Sequence, residues 1–305
     1  MKKRILSILL VCCMVLVLLP TTAFANNDGA KAIQLGTSGI SGYDSTNSSY
    51  DYIYFGTWNS SPVKWRVLDT KTNMSDAQEG DGFFLLSDAL LGTGEYGGVE
   101  FDYTTPYTND WKGSRGQDWC NGFYTRNLST PEQKAVFATS KSDDPYIDGY
   151  FIDSKNILNG DKVFFLSAEE VGNAAYGFID DNARIANYGD RAGVWWLRSP
   201  HRDYNAAGMV NASGDVRADW VNYTNAARPA FNLKPDPVLL VSAAVGGKGA
   251  VDGIFKIPEY SGDEWKLTLL DDTRTFRVTE TTAAGKPGNT ITLNFSGGRT
   301  GQNEY

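Results

Sequence analysis

Cysteine and histidine are scarce in this chain. Of its 305 residues, three are cysteine and one is histidine. Cys12 and Cys13 lie in an N-terminal apolar run, so Cys120 is the one cysteine in the rest of the chain. After that run, an intramolecular disulfide, a two-cysteine redox centre and a histidine-rich zinc site are therefore excluded. We expect neither a metal nor another cofactor.

Long apolar runs are absent after the first 25 residues. Those residues carry basic side chains at positions 2–4, then an apolar run, then the small residues Ala23 and Ala25. This layout is typical of a secretory signal peptide cleaved after Ala25, with a retained membrane anchor as the alternative. No later stretch approaches the roughly 18 apolar residues of a membrane span. The sequence predicts a secreted or cell-surface protein without a membrane span after cleavage, and the low cysteine content favours a Gram-positive bacterium.

Basic residues are outnumbered by acidic ones. The chain has 28 lysines and arginines against 36 aspartates and glutamates, a net charge of −8 that becomes −11 when Lys2, Lys3 and Arg4 are removed. An acidic balance disfavours nucleic acid and anionic lipid as the main partner. A chain of this length buries an adequate core without disulfides.

Turn-forming residues divide the rest of the chain. Residues 26–49 are rich in Gly, Ser, Asn and Asp, which predicts a flexible leader. Residues 50–235 combine short strand patterns with a few short helices, which predicts one α+β domain with antiparallel sheets. Residues 236–305 contain short strand-like pieces separated by Gly, Asp and Pro, which predicts a small β-sandwich-like module. This module stops at "GGRTGQNEY" without a closing strand, so we expect it to be incomplete.

Local patterns predict individual elements within 50–235. The turn residues "NSSP" and "NASGD" each lie between two short strand patterns and predict two hairpins. A helix is expected around "GQDWCNGF". A second helix is expected with Thr130 as its N-cap, Pro131 in the first helical position and Gln133 completing a capping box. Ser167 and Glu170 repeat the capping arrangement before a further short helix.

No catalytic constellation is evident, and we expect the protein not to be an enzyme. Cys120 and His201 lack the local signature of a nucleophile pair; we expect Cys120 to be buried on a helix and His201 to lie on a polar rim. Paired carboxylates occur at 143–144, 169–170 and 180–181, but helix caps and solvated loops account for such acids as well as a glycosidase does. The spacing of a phosphate-binding glycine loop or an EF-hand is missing, although a weak calcium site stays open.

The order of several short blocks carries a family resemblance. The blocks are "IYFGTW", "VKWRVLD", "FFLLSD", "DKVFFLSAEE", "VWWLRSP" and "AARPAFNL". This order resembles a large family of exported bacterial domains of unknown function. The blocks look like a divergent form of the C-type-lectin-like fold, as in formylglycine-generating enzymes and the variable proteins of diversity-generating retroelements. The likeness covers about residues 50–233; WWLRSP is its most specific block, and Ala227 stands where a glycine is usual.

The resemblance implies roles for particular residues. Trp195, Trp196, Arg198 and Arg228 would belong to the structural core. The polar positions between the two blocks would correspond to the surface that varies in retroelement-diversified ligand binders. The late cysteine pair of formylglycine-generating enzymes is absent, so their oxidase chemistry is not implied. The Glu-Pro-Asn and Gln-Pro-Asp motifs of calcium-dependent sugar binding are also missing.

The segment 201–225 is therefore the candidate ligand-binding surface. Its aromatic side chains offer rigid contact area, its amides adaptable hydrogen bonds, and its charged groups complementarity to a partner. The candidate residues are Arg202, Asp203, Tyr204, Asn205, Asn211, Arg217, Asp219, Trp220, Asn222, Tyr223 and Asn225. We expect an exported module that binds an extracellular protein or a glycan. One alternative is a structural domain of a larger surface protein, in which asparagine merely favours turns. A less favoured alternative is a secreted hydrolase that uses paired carboxylates.

Overall fold

A computed structural model describes residues 33–35, 39–74, 81–92, 97–103, 105–142, 150–151, 157–244, 262–270, 277–282 and 292–296. Within these ranges the fold is mainly β-sheet with a few short helices, which confirms the predicted α+β class at that level of detail. No helix in these ranges is long and apolar enough to cross a membrane. The predicted signal peptide at 1–25 lies outside the described residues.

An eight-stranded sheet forms the centre of the fold. From one edge to the other its strands are β1 (Ile33–Leu35), β16 (Val238–Ala243), β17 (Glu264–Leu269), β2 (Tyr52–Trp58), β3 (Ser61–Lys71), β4 (Asp81–Ser87), β15 (Pro229–Leu233) and β8 (Phe164–Phe165). β17 and β2 run parallel, and the other neighbouring pairs are antiparallel.

Smaller sheets surround it. A three-stranded sheet contains β11 (Trp195–Pro200), β12 (Ala206–Val210) and β13 (Val216–Trp220), in that order. The two-stranded sheets are β5 (Val99–Glu100) with β14 (Thr224–Asn225), β6 (Thr139–Lys141) with β7 (Leu158–Asp161), β9 (Asn187–Tyr188) with β10 (Arg191–Ala192), and β18 (Arg277–Thr282) with β19 (Thr292–Ser296).

The helices are short. In the described ranges the α-helices are α1 (Arg115–Asn127), α2 (Thr130–Ala135) and α3 (Asp181–Arg184), and two 3-10 helices span Glu170–Gly172 and Ala174–Tyr176.

The predicted hairpin at the start of the domain is confirmed. β2 and β3 pair across a two-residue turn at Asn59 and Ser60, both with positive φ (48° and 65°), the backbone that matches the twist of a tight hairpin. Alternate residues of β3 are buried, and Trp65 Nε1 donates to the carbonyl of Phe55 on β2 at 2.7 Å. The alternation in the sequence therefore specifies both the turn and the buried face.

Helix α1 covers one face of the central sheet. Ser114 caps it, because its hydroxyl accepts the amide of Gln117 at 3.1 Å. Cys120 and Phe123 are buried, and the Phe123 ring meets Trp65 of β3 edge-on at 5.9 Å between centroids. The predicted helix around "GQDWCNGF" is thus confirmed.

The N-cap of helix α2 lies one residue before the predicted one. Ser129, not Thr130, is the N-cap: its backbone is extended, and its amide and hydroxyl both bond the Glu132 carboxylate at 2.7 Å. Thr130 is already helical. Gln133, predicted to close the capping box, instead donates to the carbonyl of Leu128 at 2.9 Å. The cap prediction was therefore wrong by one position, since two adjacent hydroxyl residues precede the proline.

Part of the predicted flexible leader lies against the sheet. β1 pairs with β16, and the Tyr43 amide donates to the carbonyl of Leu68 at 3.3 Å. The Asp44 carboxylate accepts the amide of Thr46 at 2.8 Å and the Asn47 side chain at 2.7 Å, which closes a turn. In this part of 26–49 the polar composition reflects turn formation and not freedom from the core.

The predicted boundary at 236 falls within the central sheet. β16 and β17 extend the sheet of the preceding domain, and Lys64 Nζ contacts Glu264 Oε1 at 2.7 Å. The free edge of β2, whose Ile53 and Phe55 are buried, is thereby paired, which removes an exposed edge. β18 and β19 form a separate pair. One of the short strand-like pieces of 236–305, "IFKIP" at 254–258, lies outside the described residues.

A buried ion cluster fastens the helical segment to the sheets. Glu170 is 2% exposed and accepts Arg198 Nη1 at 2.6 Å and Lys141 Nζ at 2.9 Å. The predicted capping pair is present too: the Ser167 amide donates to Glu170 Oε2 at 2.8 Å, and the Glu170 amide donates to Ser167 Oγ at 3.1 Å. Burial alone raises the pKa of Glu170, but the two cations outweigh it and lower the pKa to about 2.

We predict that Glu170→Gln removes an acid-sensitive part of the stability. The folded pKa lies below the unfolded value of about 4.3, so the contribution is present above that value and disappears as pH falls towards about 2. At neutral pH the variant should lose roughly 3 to 5 kcal/mol, because Arg198 stays buried without its carboxylate. Urea unfolding at several pH values measures both effects.

Asp190→Asn is the matched control for this prediction, because it also removes one carboxylate, but at an exposed position. The control should keep the native pH dependence. If Glu170→Gln keeps the native stability difference between pH 6 and pH 3, the ion cluster is not the source of that difference.

Candidate functional site

The two blocks that flank the candidate surface are buried. Trp195, Trp196, Arg198 and Arg228 each expose 0% of their surface, at the positions expected of core residues. Trp196 Nε1 donates to the carbonyl of Val99 at 2.6 Å. The Arg228 guanidinium lies over the Trp195 ring, 4.8 Å from its centroid. These side chains pack and hold the frame and do not face solvent.

Both buried arginines are satisfied largely by backbone carbonyls. Arg228 donates to the carbonyls of Ser87 at 3.0 Å and Arg184 at 3.3 Å. Arg198 donates to the carbonyl of Phe165 at 2.8 Å, besides its contact with Glu170. Burial, with a further contribution from nearby Arg66, lowers the pKa of Arg228 well below its ordinary value. Each guanidinium therefore joins segments that are distant in sequence.

The predicted "NASGD" hairpin carries the candidate residues and is confirmed. Ala206 of β12 pairs with Trp220 of β13 at the open end, and Val210 pairs with Val216 next to the turn. The turn rests on α3, because Arg184 Nε donates to the carbonyl of Gly214 at 2.9 Å. Four residue rises of about 3.4 Å separate the two ends, a distance of about 14 Å.

Three large aromatic side chains are exposed at the open end of this hairpin. Tyr204, Trp220 and Tyr223 expose 67%, 52% and 52% of their surface. The backbone beneath them is fixed: the Tyr223 amide donates to the carbonyl of Trp220 at 2.9 Å, and the Trp220 amide to Asp219 Oδ1 at 2.9 Å. We call this surface the aromatic face; its members are Tyr204, Trp220 and Tyr223 with the neighbouring Arg202, Asp203, Asn205, Asp219 and Asn222.

Three predicted residues lie outside the aromatic face. Asn211 forms the hairpin turn at the opposite end, where its Oδ1 accepts the amides of Ser213 at 2.8 Å and Asp215 at 3.0 Å. Arg217 is exposed near that end and lies 3.5 Å from Asp215. Asn225 is 8% exposed and donates to Asp219 Oδ2 at 3.1 Å. The structure therefore contradicts a displayed role for Asn225 and gives Asn211 a turn-forming one.

Asn109 organises the aromatic face and was not found from sequence. It is 1% exposed, and its Nδ2 lies 2.6 Å, 3.0 Å and 2.8 Å from the carbonyls of His201, Asp203 and Ala206. One buried amide thus holds the loop that carries Tyr204. No sequence pattern marks it, because it lies in a turn-rich stretch about 95 residues before its partners.

A second aromatic neighbourhood adjoins the face along the backbone. The Asp102 amide donates to the carbonyl of Val221 at 2.9 Å, and the next residue, Tyr103, is 54% exposed. Arg115 lies 4.2 Å from the Tyr103 ring centroid and 3.1 Å from Glu100. Tyr103 and Arg115 were not among the predicted residues, since both lie about 100 positions before the hairpin in the sequence.

Cys120 and His201, the residues considered as a catalytic pair, are both buried. Cys120 is fully buried, and burial followed by the charge of Asp161 raises the pKa of its thiol. His201 is 6% exposed, not on the rim as expected, and its Nδ1 accepts the Asp203 amide at 3.1 Å. Burial lowers the pKa of His201, which keeps it neutral.

The paired acids also have structural partners where they are described. Asp180 caps α3 by accepting the Ala183 amide at 2.9 Å, and Asp181 pairs with Arg184. The acids at 143–144 lie outside the described residues. In the ranges that are described, no three histidine, cysteine or acidic side chains converge in a group that could hold a metal ion.

Comparison with known proteins places the chain in a family. A family model described as a domain of unknown function (DUF6273) matches residues 80–235, just over half of the chain. The chain belongs to the DUF6273 family. Searches of curated proteins and of solved structures found no match. The DUF6273 region contains every residue of the aromatic face and the buried arginines Arg198 and Arg228.

We predict that Asn109→Ala loosens the aromatic face while the central sheet stays intact. Buried carbonyls lose their donor, which should lower the free energy of unfolding by about 1 to 3 kcal/mol. Hydrogen exchange of the Ala206 and Val221 amides should accelerate, because both donate within the tethered segment. Asn222→Ala, at an exposed position, should change neither quantity. If both amides in Asn109→Ala exchange as slowly as in the native protein, Asn109 does not hold this loop in place.

Proposed function

We propose that this DUF6273 protein is an exported ligand-binding protein whose binding site is the aromatic face. The observation that carries the proposal is the exposure of Tyr204, Trp220 and Tyr223 at one end of a hairpin with a buried, hydrogen-bonded base. Large exposed apolar patches on a protein surface mark interaction or ligand-binding sites. The ligand we expect is an extracellular protein or a glycan.

The composition of the face supports binding over catalysis. Tyrosine and tryptophan give large contact area at a low cost in side-chain entropy, and Asn205 and Asn222 supply hydrogen bonds that adapt to a ligand. Arg202 and Asp203, both exposed, contribute charge complementarity and association rate. The tether by Asn109 pre-organises the loop, which reduces the entropy lost on binding.

Export and fold form part of the same proposal. Export rests on the signal-peptide pattern of residues 1–25. The C-type-lectin-like fold rests on the six sequence blocks, four of which fall inside the DUF6273 region: FFLLSD, DKVFFLSAEE, VWWLRSP and AARPAFNL. A displayed, variable surface between those blocks is what the resemblance to retroelement-diversified proteins implies.

One observation favours the alternative of a structural domain. Asn211 and Asn225 serve a turn and a buried hydrogen bond, as the asparagines of a loop-rich structural domain do. That alternative does not explain why Trp220 and Tyr223 remain half-exposed, because a structural role buries aromatic area.

We predict that Trp220→Ala and Tyr223→Ala abolish ligand binding without unfolding the protein. The chain from Asn26 onward is applied to a glycan array and used in pull-downs of extracellular proteins, and affinity for each ligand found is measured. Loss of a central aromatic contact should weaken binding by about 30-fold or more. Thermal unfolding of both variants should match that of the native protein, since neither side chain is in the core.

Two control variants accompany this experiment, one at an exposed position and one in the core. Leu239→Ala, at a 49% exposed position on β16, should bind as the native protein does. Trp195→Ala should instead destabilise the fold by about 3 to 5 kcal/mol, as truncation of a buried aromatic does. If Trp220→Ala proves as destabilising as Trp195→Ala, or if it binds with native affinity, the aromatic face is not the site.

A further inference from the structure

A second concave site lies near the opposite end of the hairpin from the aromatic face. A pocket of ≈ 200 Å³ opens between the 43–50 turn and the segment 177–185. We call it the Tyr43 pocket; Tyr43, Ser48, Tyr50, Arg66, Ile179 and Asn182 line it. The hairpin turn touches α3 beside it, through the bond from Arg184 to Gly214. No residue of the aromatic face lines this pocket.

The walls of the Tyr43 pocket are held in place by specific contacts. The Tyr43 and Tyr50 rings lie 5.0 Å apart, and the Tyr50 hydroxyl donates to the carbonyl of Tyr176 at 3.0 Å. Gly177 has a φ of +84°, and a Cβ there would lie 2.7 Å from the Tyr43 ring and collide with the Tyr50 hydroxyl. Glycine is thus required for the two rings to approach this backbone. The shape of the pocket is therefore fixed by the packing of its walls.

The charge under the pocket is positive. Arg66 Nε donates to Asp88 Oδ1 at 2.7 Å, and its guanidinium lies 5.2 Å from the Tyr50 ring centroid. Buried Arg228 is close enough to interact with both Arg66 and Asp88, yet in the described residues no carboxylate lies within ion-pair distance of it. Two cations therefore share one carboxylate. Arg66 keeps 18% of its side chain exposed, so this charge is accessible to a ligand.

The acid at the rim does not cancel this charge. Asp180 is exposed, and its carboxylate accepts the Ala183 amide at the start of α3. Solvent screens an exposed carboxylate far more strongly than a partly buried guanidinium. A negative group inside the pocket is therefore attracted by Arg66 more strongly than it is repelled by Asp180.

We propose that the Tyr43 pocket binds a small, single-ring organic acid, with its carboxylate at Arg66 and its ring against Tyr43 and Ile179. Planar guanidinium groups bind carboxylates through paired, charge-assisted hydrogen bonds. Ile179 is 60% exposed and offers apolar area beside the tyrosine ring. The volume corresponds to about six or seven waters, which is enough for one ring. The inference is independent of the aromatic face.

Matched charged and neutral probes test this site. The chain from Asn26 onward is titrated with glucuronate and with benzoate, and separately with their uncharged counterparts glucose and benzyl alcohol. Amide NMR shifts at Ser48, Gly177 and Ile179 report binding. At least one acid should give saturable shifts, and its neutral counterpart should bind at least about tenfold more weakly, because the bond to a charged group is lost.

Two variants locate the binding. Ile179→Trp fills the mouth of the pocket at an exposed position, so it should remove the shifts while thermal unfolding stays native. Arg66→Gln should weaken acid binding by at least about tenfold. Trp220→Ala, on the aromatic face, should leave acid binding unchanged, so failure of either site is recognised separately.

The outcomes decide the proposal. Saturable binding of an acid that Ile179→Trp removes supports it. Equal affinity for an acid and its neutral counterpart overturns the anionic assignment. The absence of saturable shifts with both acids overturns the site itself, as does native acid binding by Ile179→Trp.

Discussion

The burial of two guanidinium groups is the constraint on which the rest of the fold depends. A buried arginine is tolerated only where acceptors surround it, so Arg198 and Arg228 each require several segments to meet. Arg198 joins β11 to the carbonyl of Phe165 and to Glu170, and Arg228 joins the start of β15 to Ser87 and to α3. Segments between 28 and 141 residues apart are fixed together at these points.

This frame allows polar and aromatic residues to be displayed between the two fixed strands. β11 and β15 are buried throughout, while β13 and the loop after it carry exposed side chains. The open end of the hairpin is held by Asn109 and the turn end by Arg184, so both ends are anchored without covering the aromatic side chains. The exposed aromatic face therefore lies at one end of the hairpin. The concave Tyr43 pocket lies near the other end, about one hairpin length away.

Local features of the fold follow from sequence, and long-range ones do not. The hairpins at Asn59–Ser60 and 211–215 follow from turn residues between alternating strands, and the buried WWLRSP block follows from its aromatic content. The pairing of β17 with β2 joins residues about 210 positions apart, and no pattern in either strand marks the other. The cap of α2 was misplaced because Ser129 with Glu132 and Thr130 with Gln133 both have the spacing of a capping box.

The candidate site was predictable only where it depends on local sequence and not on long-range contacts. Trp220 and Tyr223 lie among polar residues in a hairpin, which indicates exposure. Asn225 has the same kind of neighbours yet is buried, because its strand β14 pairs with the distant β5. Asn109 has no local signature at all, since its role is defined only by the three carbonyls that the fold brings to it.

Hydroxyl-radical footprinting with mass spectrometry tests the central claim most directly, because it reports the exposure of each aromatic side chain in solution. The account predicts strong labelling of Tyr204, Trp220 and Tyr223, protection of Trp195 and Trp196, and loss of labelling on the first three when a ligand is bound. Protection of Trp220 equal to that of Trp195 in the free protein, or unchanged labelling of the aromatic face in a saturated complex, would contradict it.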